Sequence, residues 1–310
     1  MRNMNGIWIG VDGGGSKTRF AAMDCEGRVM AEVSGASAAY RQYGLEEVGR
    51  RMLEGVAQCM KAVGAEDGDI AGMCFGMPAY GEGERETALL RQTLEKSFSP
   101  PLYVCNDAEV GWAGSLGLQS GVNIVAGTGA IAFGRNDAGQ TARVGGWCEF
   151  FGDEGSGYWV GRRAMEVFSK EADGRLPRSA LYGLVREKFG LNNDFEFIGV
   201  VEREYAPFRD KTAGFQRMAL SAAQAGDPAC IRLYEMAAEE LALCVRTLIE
   251  KLDMGNCARV SYSGGLFNAG ELLLSPFRSR LQEMKCTLIE PRYSPAHGAA
   301  LLAREHFQGA

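Results

Sequence analysis

The chain has 310 residues, with 33 Lys and Arg, 39 Asp and Glu, and a formal net charge of -6. This acidic balance argues against nucleic acid as the main partner, because binding to a phosphate backbone needs a basic face. No run approaches the roughly 18 apolar residues that a membrane helix needs, and residues 1–6 contain no apolar stretch typical of a secretion signal. We therefore expect a cytoplasmic protein of two compact domains that binds neither nucleic acid nor a membrane.

Histidine is scarce in this sequence, which contains only His297 and His306. A Ser or Cys nucleophile activated by histidine, or an HExxH zinc site, is therefore nearly excluded. We expect the chemistry to depend on carboxylates, backbone amides and a cofactor.

The first third of the chain is predicted to have the element order βββαβαβα. Apolar runs bounded by turn residues predict the strands, and apolar residues at helical spacing predict the helices. In chain order the elements are a glycine-turn hairpin at 7–24, an extended run at 29–33, a helix at 45–63, a strand at 70–75, a helix at 84–96, a strand at 102–104 and a helix at 108–116.

The same pattern then begins again. Strands at 122–126 and 130–134 flank Gly127-Thr128-Gly129, and an extended run follows at 141–144. Two glycine-turn hairpins about 115 residues apart indicate an internal duplication. We place the boundary between the copies near residues 117–121.

The second half is predicted to be richer in helix. Asp227-Pro228 is a favourable N-cap and N1 pair for a long helix. A strand at 259–262 leads into Ser263-Gly264-Gly265, and a small-residue helix at 296–304 closes the chain.

The first glycine turn, DGGGSKT at 12–18, is superficially like a Walker A loop. It fails that motif, because Ser16 stands between the last glycine and Lys17 and the following residues alternate like a strand. A glycine-rich turn can still bind phosphate through converging N–H groups. Asp12 beside a phosphate would need a cation such as Mg²⁺ between them. On the residues alone, a plain tight hairpin with an Asp turn residue is an equal alternative.

Five motifs occur in order along nearly the whole chain. They are GVDGGGSKT (10–18), NDA (106–108), AGTGAIAFGRN (126–136), GGWCEFFGDEGSGYW (145–159) and SGGLF (263–267). Together they resemble the BadF/BadG/BcrA/BcrD ATPase and N-acetylglucosamine kinase family, within the actin, hexokinase and heat-shock ATPase superfamily. The resemblance implies an α/β fold of two duplicated ribonuclease-H-like (actin-like ATPase) domains, with mixed sheets and an interdomain cleft.

The resemblance also implies how the chain divides. The first domain would be residues 1–118, an N-terminal lobe with the first hairpin and the catalytic Asp. The second would be residues 119–310, a C-terminal lobe with the second hairpin, the substrate loop and the adenosine site. We expect the last helix to pack back on the N-terminal lobe.

The ligands implied by the resemblance are ATP and Mg²⁺. Asp12 would help to organise the Mg²⁺, and Asp107 would be the catalytic base that accepts the proton of an attacking hydroxyl. Without the other motifs, Asp107 could instead be the N-cap of the helix that follows it. The residues expected to hold ATP are Gly13, Gly14, Gly15, Ser16, Lys17 and Thr18 in the first hairpin, Gly127, Thr128 and Gly129 in the second, and Gly264 and Gly265 near the adenosine.

The segment 145–159 resembles the substrate loop of sugar kinases. Trp147 offers a flat apolar face to a sugar ring or an acetyl methyl, and Asp153 could accept hydrogen bonds from ring hydroxyls. A helix beginning near Glu154 could direct its amides at the transferred phosphate. Alternatively, the aromatic residues of this segment are mainly core. The residues expected to contact substrate are Asp107, Ala130, Gly146, Trp147 and Asp153.

The function implied by the resemblance is an ATP-dependent kinase that phosphorylates the 6-hydroxyl of N-acetylglucosamine or a related amino sugar, with a homodimer as its assembly. Two departures leave the sugar open among N-acetylglucosamine, glucosamine and N-acetylmuramic acid. The Asn expected after the third strand is missing from 35–40, and Ile131 stands where these kinases often carry Asn.

The alternative function is that of relatives that activate a partner reductase or dehydratase by ATP hydrolysis. Those activators carry a Cys before their second glycine turn, where this chain has Ile124-Val125-Ala126. The kinase hypothesis is therefore preferred.

Overall fold

The computed structural model describes residues 6–15, 17–255 and 258–308. It is a mixed α/β structure with two five-stranded sheets, which confirms the predicted fold class. The contacts divide the chain into two compact units, Met1–Asn123 with Glu290–Ala310, and Ile124–Ile289. Within the described ranges, no helix is long and apolar enough to cross a membrane.

The first unit contains the elements predicted for the first third of the chain and one short helix, Tyr40–Tyr43, that was not predicted. They are β1 (Ile7–Gly13), β2 (Lys17–Met23), β3 (Val29–Ala36), α1 (Tyr40–Tyr43), α2 (Leu45–Val63), β4 (Ile70–Met77), α3 (Glu84–Ser97), β5 (Leu102–Asn106) and α4 (Asp107–Leu116). The sheet order is β3-β2-β1-β4-β5. Strands β1 to β3 pair antiparallel, whereas β4 pairs parallel to β1 and β5 parallel to β4.

The core of this unit lies on both faces of its sheet. Successive side chains of a strand point to opposite faces, and Ile9 and Val11 of β1 belong to the cluster that includes buried residues of α2 and α3. Gly10, between them, faces the C-terminal helix, numbered α12 (Pro295–Gln308), which also contacts α4. The sheet is therefore covered by α2 and α3 on one face and by α4 and α12 on the other.

The second unit repeats the strand arrangement and adds most of the helices. Its elements are β6 (Gly121–Ala126), which begins in the first unit, β7 (Ala130–Arg135), β8 (Thr141–Gly145), α5 (Gly157–Ala172), α6 (Ala180–Phe189), α7 (Glu196–Glu204), α8 (Arg209–Gly214), α9 (Gln216–Gln224), α10 (Pro228–Lys251), β9 (Arg259–Ser263), α11 (Glu271–Glu283) and β10 (Thr287–Leu288). The sheet order is β10-β9-β6-β7-β8.

The two sheet orders are the same when each is read in chain order. In both, the second strand separates the first from the third, and the fourth and fifth lie on the other side of the first. The second sheet is also mixed, since β7 and β8 are antiparallel and β9 and β10 are parallel. This shared order confirms the internal duplication predicted from the two glycine hairpins.

The N-cap predicted for the long helix is confirmed and has a second function. Asp227 accepts a hydrogen bond from the N–H of Cys230 at 3.1 Å, and Pro228 occupies the first turn of α10. The other carboxylate oxygen of Asp227 accepts a hydrogen bond from the N–H of Leu181 at 3.0 Å. One buried carboxylate therefore caps both α6 and α10.

Candidate active site

The first glycine turn joins β1 to β2. The N–H of Gly14 donates to the carbonyl of Lys17 at 3.0 Å and closes the turn. A Cβ at Gly13 would lie 2.7 Å from the carbonyl oxygen of Gly76, and one at Gly14 would lie 2.6 Å from that of Lys17. Both glycines are therefore required by close backbone packing, whether or not the turn binds a ligand.

The exposed part of this turn contains Gly15 and Lys17. No atom lies within 4 Å of a Cβ built on Gly15. Thr18 is buried, and its hydroxyl donates to the carbonyl of Ala36 at 2.7 Å. Ser16, which was also predicted to hold ATP, lies outside the described residues. An anion approaching this turn would therefore meet exposed backbone and Lys17, and not the hydroxyl of Thr18.

A buried serine that sequence reasoning missed fastens the turn to the segment after β3. The hydroxyl of Ser37 donates to the carbonyl of Gly15 at 2.8 Å and accepts from the N–H of Ala39 at 3.1 Å. The N–H of Ala38 donates to the carbonyl of Gly14 at 3.1 Å. These contacts use carbonyl oxygens of the turn, so an anion would bind to its N–H groups other than that of Gly14, which closes the turn.

The carboxylates predicted to organise Mg²⁺, Asp12, and to act as the base, Asp107, lie at the same edge of the first sheet. Asp12 is next to last in β1 and lies opposite Gly76 of β4, and Met77 of β4 lies opposite Asn106 of β5. Asp107 follows directly. Since the three strands are parallel, their carboxyl ends meet at one edge. With β4 between them, the backbones bearing the two carboxylates are about 10 Å apart, or two strand spacings.

The N-cap of α4 is Asn106 and not Asp107. The side-chain oxygen of Asn106 accepts from the N–H of Ala108 at 3.0 Å, while its amide nitrogen donates to the carbonyl of Tyr80 at 2.9 Å. The alternative hypothesis, in which Asp107 caps this helix, is therefore wrong. The carboxylate of Asp107 is not needed for capping.

Both carboxylates have raised pKa values. Burial raises the pKa of Asp12 to about 6, although the nearby Arg19 and Lys17 act to lower it. Burial, together with the negative charge of Asp12, raises the pKa of Asp107 to about 7. Such values place Asp107 in the range where a carboxylate exchanges protons near neutral pH. A strongly shifted pKa at a strand end is a physical indication of a functional site.

In the second unit, the first turn of α5 holds the second glycine turn. The N–H of Gly127 donates to the carbonyl of Gly129 at 2.9 Å within the turn. The N–H of Gly157 donates to the carbonyl of Gly127 at 2.8 Å, and that of Tyr158 to the carbonyl of Thr128 at 3.2 Å. As in the first turn, carbonyl oxygens are anchored by the protein.

The expected use of the amides at the start of α5 is therefore corrected. This helix begins at Gly157 and not near Glu154, with Ser156 as its N-cap. The side chain of Ser156 accepts from the N–H of Trp159 at 3.1 Å. Because the first N–H groups of α5 already have partners, they position the glycine turn and are not aimed at a phosphate.

Ala130, which follows the turn, is held at both of its backbone polar groups. Its N–H donates to Asp153 Oδ1 at 3.1 Å, and its carbonyl accepts from the N–H of Gly146 at 2.9 Å. Asp153 is 3% exposed, and its Oδ2 accepts from Arg209. Both oxygens of Asp153 are thus engaged by the protein, and a ring hydroxyl would have to use a remaining lone pair.

The aromatic residues of the predicted substrate loop divide into two groups. Trp147, Phe150 and Phe151 are 73%, 79% and 71% exposed, so the alternative hypothesis of a core role is wrong for them. Trp159 is buried in α5, so for this residue that hypothesis is confirmed. The loop therefore presents three exposed aromatic rings, which is unusual for a surface with no ligand to bind.

The predicted adenosine glycines lie beside the second turn. Gly264 has φ of +103°, and a Cβ there would lie 2.4 Å from the carbonyl oxygen of Ala126 and 2.9 Å from the nitrogen of Gly127. Gly265 begins a short 3₁₀-helix, Gly265–Ala269. The structure thus brings together two segments that were predicted to bind ATP, although Gly264 follows Gly127 by 137 residues in the sequence.

The profile of the BadF/BadG/BcrA/BcrD ATPase family matches residues 9–303 of this sequence, which is almost the whole chain. The chain belongs to the BadF/BadG/BcrA/BcrD ATPase family. The resemblance inferred from the five motifs is confirmed.

Individual relatives within and around this BadF-type family were also found. The chain is 30% identical to the N-acetylmuramic acid/N-acetylglucosamine kinase of Clostridium acetobutylicum, over 96% of this chain and 97% of that protein. It is 27% identical to the N-acetyl-D-glucosamine kinase of Dictyostelium discoideum, with the same coverages. A crystal structure from Chromobacterium violaceum, provisionally named an N-acetylglucosamine kinase, superposes with a TM-score of 0.77 at 26% identity, covering 96% and 99% of the two chains.

This BadF-type chain also has site residues that no motif indicated. Ser37 and Arg209 are two of them. A third is Glu82, whose charge acts to raise the pKa of Asp107 and whose carboxylate pairs with Arg41 at 2.7 Å. Arg41 also binds Glu86 at 2.8 Å. These charged residues lie on α1, on the loop after β4 and on α3, so only tertiary contacts bring them together.

Proposed function

We propose that this chain is an ATP-dependent kinase that transfers the γ-phosphoryl group of ATP to the 6-hydroxyl of an amino sugar. N-acetylglucosamine is the favoured acceptor, with N-acetylmuramic acid and glucosamine as the related candidates. Support comes from membership of an ATPase family and from relatives named as kinases of these sugars. The residue that carries the proposal is Asp107.

The geometry around Asp107 suits a general base. Its carboxylate lies at the carboxyl end of a parallel strand, is released from capping by Asn106, and has a pKa raised to about 7 by burial. A base of this kind accepts the proton of a sugar hydroxyl as the oxygen attacks phosphorus. Such a contribution is worth about 10²- to 10⁴-fold in rate.

Asp12 fits a magnesium ion. Mg²⁺ usually binds proteins through one or two carboxylates together with substrate phosphates and water, and it needs no all-protein cage. Asp12 is a half-buried carboxylate whose pKa is raised to about 6, and its negative charge also raises the pKa of Asp107, so the edge they share favours a cation. When bound, Mg²⁺ would neutralise charge on the phosphates.

The two glycine turns would bind the phosphates of ATP. In both, the protein anchors carbonyl oxygens, through Ser37 and Ala38 in the first turn and through the start of α5 in the second. The N–H groups within residues 13–18 and 127–129, other than those of Gly14 and Gly127 that close the turns, would then donate to phosphate oxygens and stabilise the charge that develops during transfer. Gly264 and Gly265 would lie near the adenosine.

The acceptor sugar would contact the loop at 145–159 as well as Asp107. Exposed Trp147 would pack against the sugar ring or the acetyl methyl, beside the backbone of Gly146. Ala130 and Asp153 would help to shape this surface, because their hydrogen bonds fix the Ala130 peptide.

We also propose that the chain forms a homodimer. Light scattering would test this assembly.

The decisive experiment measures ADP release in a coupled assay, with ATP and Mg²⁺, across a panel of amino sugars and neutral hexoses. Sugar-stimulated ADP release supports the kinase. Hydrolysis that is independent of sugar and requires a protein partner would support the activator function and contradict this proposal.

The same assay tests Asp107. Asp107→Asn should bind ATP normally and lose at least about 10²-fold in turnover, because the amide cannot accept the hydroxyl proton. Asp137→Asn, a matched change at an exposed loop position, should keep normal turnover. Near-normal turnover of Asp107→Asn would remove this residue from the mechanism.

A further inference from the structure

Arg209 is a charged residue that no motif connects with the site, yet it contacts the residues that hold the second glycine turn. Its guanidinium donates to Oδ2 of Asp153, and its Nε lies 3.3 Å from Oε2 of Glu149. Arg209 is the first residue of α8 and lies 56 residues after Asp153. Tertiary packing alone therefore creates this contact.

The carboxylate of Asp153 links the guanidinium to the backbone of the turn. Oδ1 accepts from the N–H of Ala130 at 3.1 Å, and Oδ2 accepts from Arg209. The peptide carbonyl of Ala130 is held independently by the N–H of Gly146. Asp153 also adopts φ of +58°, an uncommon conformation for a non-glycine residue, so the loop places this carboxylate at a cost in local backbone energy.

Gly129 shows how closely the pair approaches the turn. A Cβ at Gly129 would lie 2.7 Å from Nη2 of Arg209 and 2.9 and 3.0 Å from the two oxygens of Asp153. Gly129 has no positive φ that would require glycine. The absence of a side chain at Gly129 therefore makes room for the guanidinium–carboxylate pair.

An arginine suits this place for an electrostatic reason. Asp153 is almost completely buried, and a buried carboxylate without a counter-charge is unfavourable. Burial and the charge of Glu149 act to raise the pKa of Asp153. The N–H of Ala130 and the Arg209 guanidinium act to lower it. Arg209 itself is 43% exposed at its side chain, so it is not needed to fill the core.

We propose that Arg209 is a positioning residue for nucleotide binding, which acts through Asp153 to hold the Gly129–Ala130 peptide in the conformation that binds ATP phosphate. This inference rests on the proposed function, since it takes the second glycine turn as a phosphate-binding element. It predicts a defect in nucleotide binding that is present in the absence of sugar.

The first test compares Arg209→Ala and Arg209→Lys with the wild-type chain. Arg209→Ala should raise KM for ATP at least about tenfold, because a charge-assisted hydrogen bond to a buried carboxylate is lost, and should change kcat less than about threefold, because Asp107 is untouched. Arg209→Lys keeps the charge without the planar guanidinium, so its KM for ATP should lie between those of the wild type and Arg209→Ala. Arg203→Ala, at an exposed position on α7, is the matched control and should leave both constants unchanged.

The second test asks whether the effect passes through Asp153. In a double-mutant cycle, Arg209→Ala should weaken ADP affinity in the wild-type background but have little further effect in an Asp153→Asn background. Additive effects of the two substitutions would overturn the proposed link. Because this readout is ADP binding by titration calorimetry, it does not depend on which sugar is phosphorylated.

Chemical rescue separates positioning from a general loss of folding. Millimolar guanidinium ion should raise the ATP affinity of Arg209→Ala at least about threefold, because the exposed end of Arg209 leaves the site of its guanidinium open to solvent. Urea at the same concentration should not raise it. If Arg209→Ala is unfolded, Arg209→Lys with the same cycle replaces it. Unchanged ADP affinity in both variants overturns the inference, whereas a wild-type chain that binds ADP but phosphorylates no amino sugar overturns only the proposed function.

Discussion

At the scale of single residues, Asp107 combines a proposed catalytic role with a cost in stability. Its pKa of about 7 in the folded protein lies above the reference value of 3.8. The folded state therefore binds a proton more tightly than the unfolded state does. The contribution of Asp107 to wild-type stability should accordingly fall as pH rises from about 4 to about 7, the window between the two pKa values.

Asp107→Asn should therefore be more stable than the wild type at alkaline pH. We expect a gain of about 1 to 2 kcal/mol in the free energy of unfolding at pH 8, because the amide carries no charge to bury. At pH 4, where the carboxyl is protonated in the folded state and nearly half protonated in the unfolded state, the gain should be much smaller. Urea denaturation at the two pH values measures it, and an equal gain at both would contradict the assigned pKa.

The coupling between Asp12 and Asp107 gives a second residue-scale prediction. Because the charge of Asp12 raises the pKa of Asp107, Asp12→Asn should lower that pKa below about 7. Carboxyl ¹³C NMR titration of the metal-free, nucleotide-free protein measures it directly. Asp137→Asn should leave the titration of Asp107 unchanged, and a titration equally unmoved by Asp12→Asn would show that the two carboxylates do not interact.

At the scale of elements, single polar side chains fix the ends of several helices and turns. Ser37 anchors the first glycine turn, Ser156 caps α5, and Asn106 caps α4. Asp227 makes the most of these contacts, because it caps α6 and α10 together and also accepts a hydrogen bond from the hydroxyl of Ser179. This one buried carboxylate therefore links the starts of α6 and α10.

Asp227→Ala should lower the free energy of unfolding by about 2 to 4 kcal/mol, since two helix caps at about 1 to 2 kcal/mol each are lost. Ser156→Ala removes the single side-chain cap of α5 and should cost only about 1 kcal/mol. Thermal and urea denaturation compare the two variants. A loss no larger than that of Ser156→Ala would show that Asp227 stabilises only one helix.

At the scale of the whole molecule, one strand order occurs twice, and the chain returns at its end to the first unit. Helix α12 lies against β1, β4 and α4 because small residues let backbones meet. A Cβ at Gly298 would lie 2.1 Å from the nitrogen of Gly114, and one at Gly10 would lie 2.0 Å from the carbonyl oxygen of Ala296. The C-terminal helix thus covers the strand that carries Asp12.

Gly298→Ala should therefore destabilise the protein by about 2 kcal/mol or more, because the methyl group would press on backbone that cannot move aside. Gly183→Ala is the matched control, since Gly183 is also helical and has no atom within 4 Å of its Cβ position. It should stabilise by about 0.5 to 1 kcal/mol through helix propensity. Equal effects in denaturation experiments would contradict the packing of α12.

The sequence by itself determined the elements whose pattern is local. The bounds of α2 were predicted as Leu45–Val63 because one face of that helix is buried along its length, and burial of one face leaves a helical period in the sequence. The glycine turns and the order of motifs likewise identified the family and the positions of Asp12 and Asp107.

Only the tertiary structure decided which polar groups meet. Asn106 and Asp107 are equally plausible caps in the sequence, and the choice depends on the carbonyl of Tyr80, which holds the Asn106 side chain. Arg209 reaches Asp153 across 56 residues of sequence, and no local period records such a contact. The physical reason is that periodicity reports burial of a face, whereas a hydrogen bond between distant side chains depends on how the elements that carry them pack.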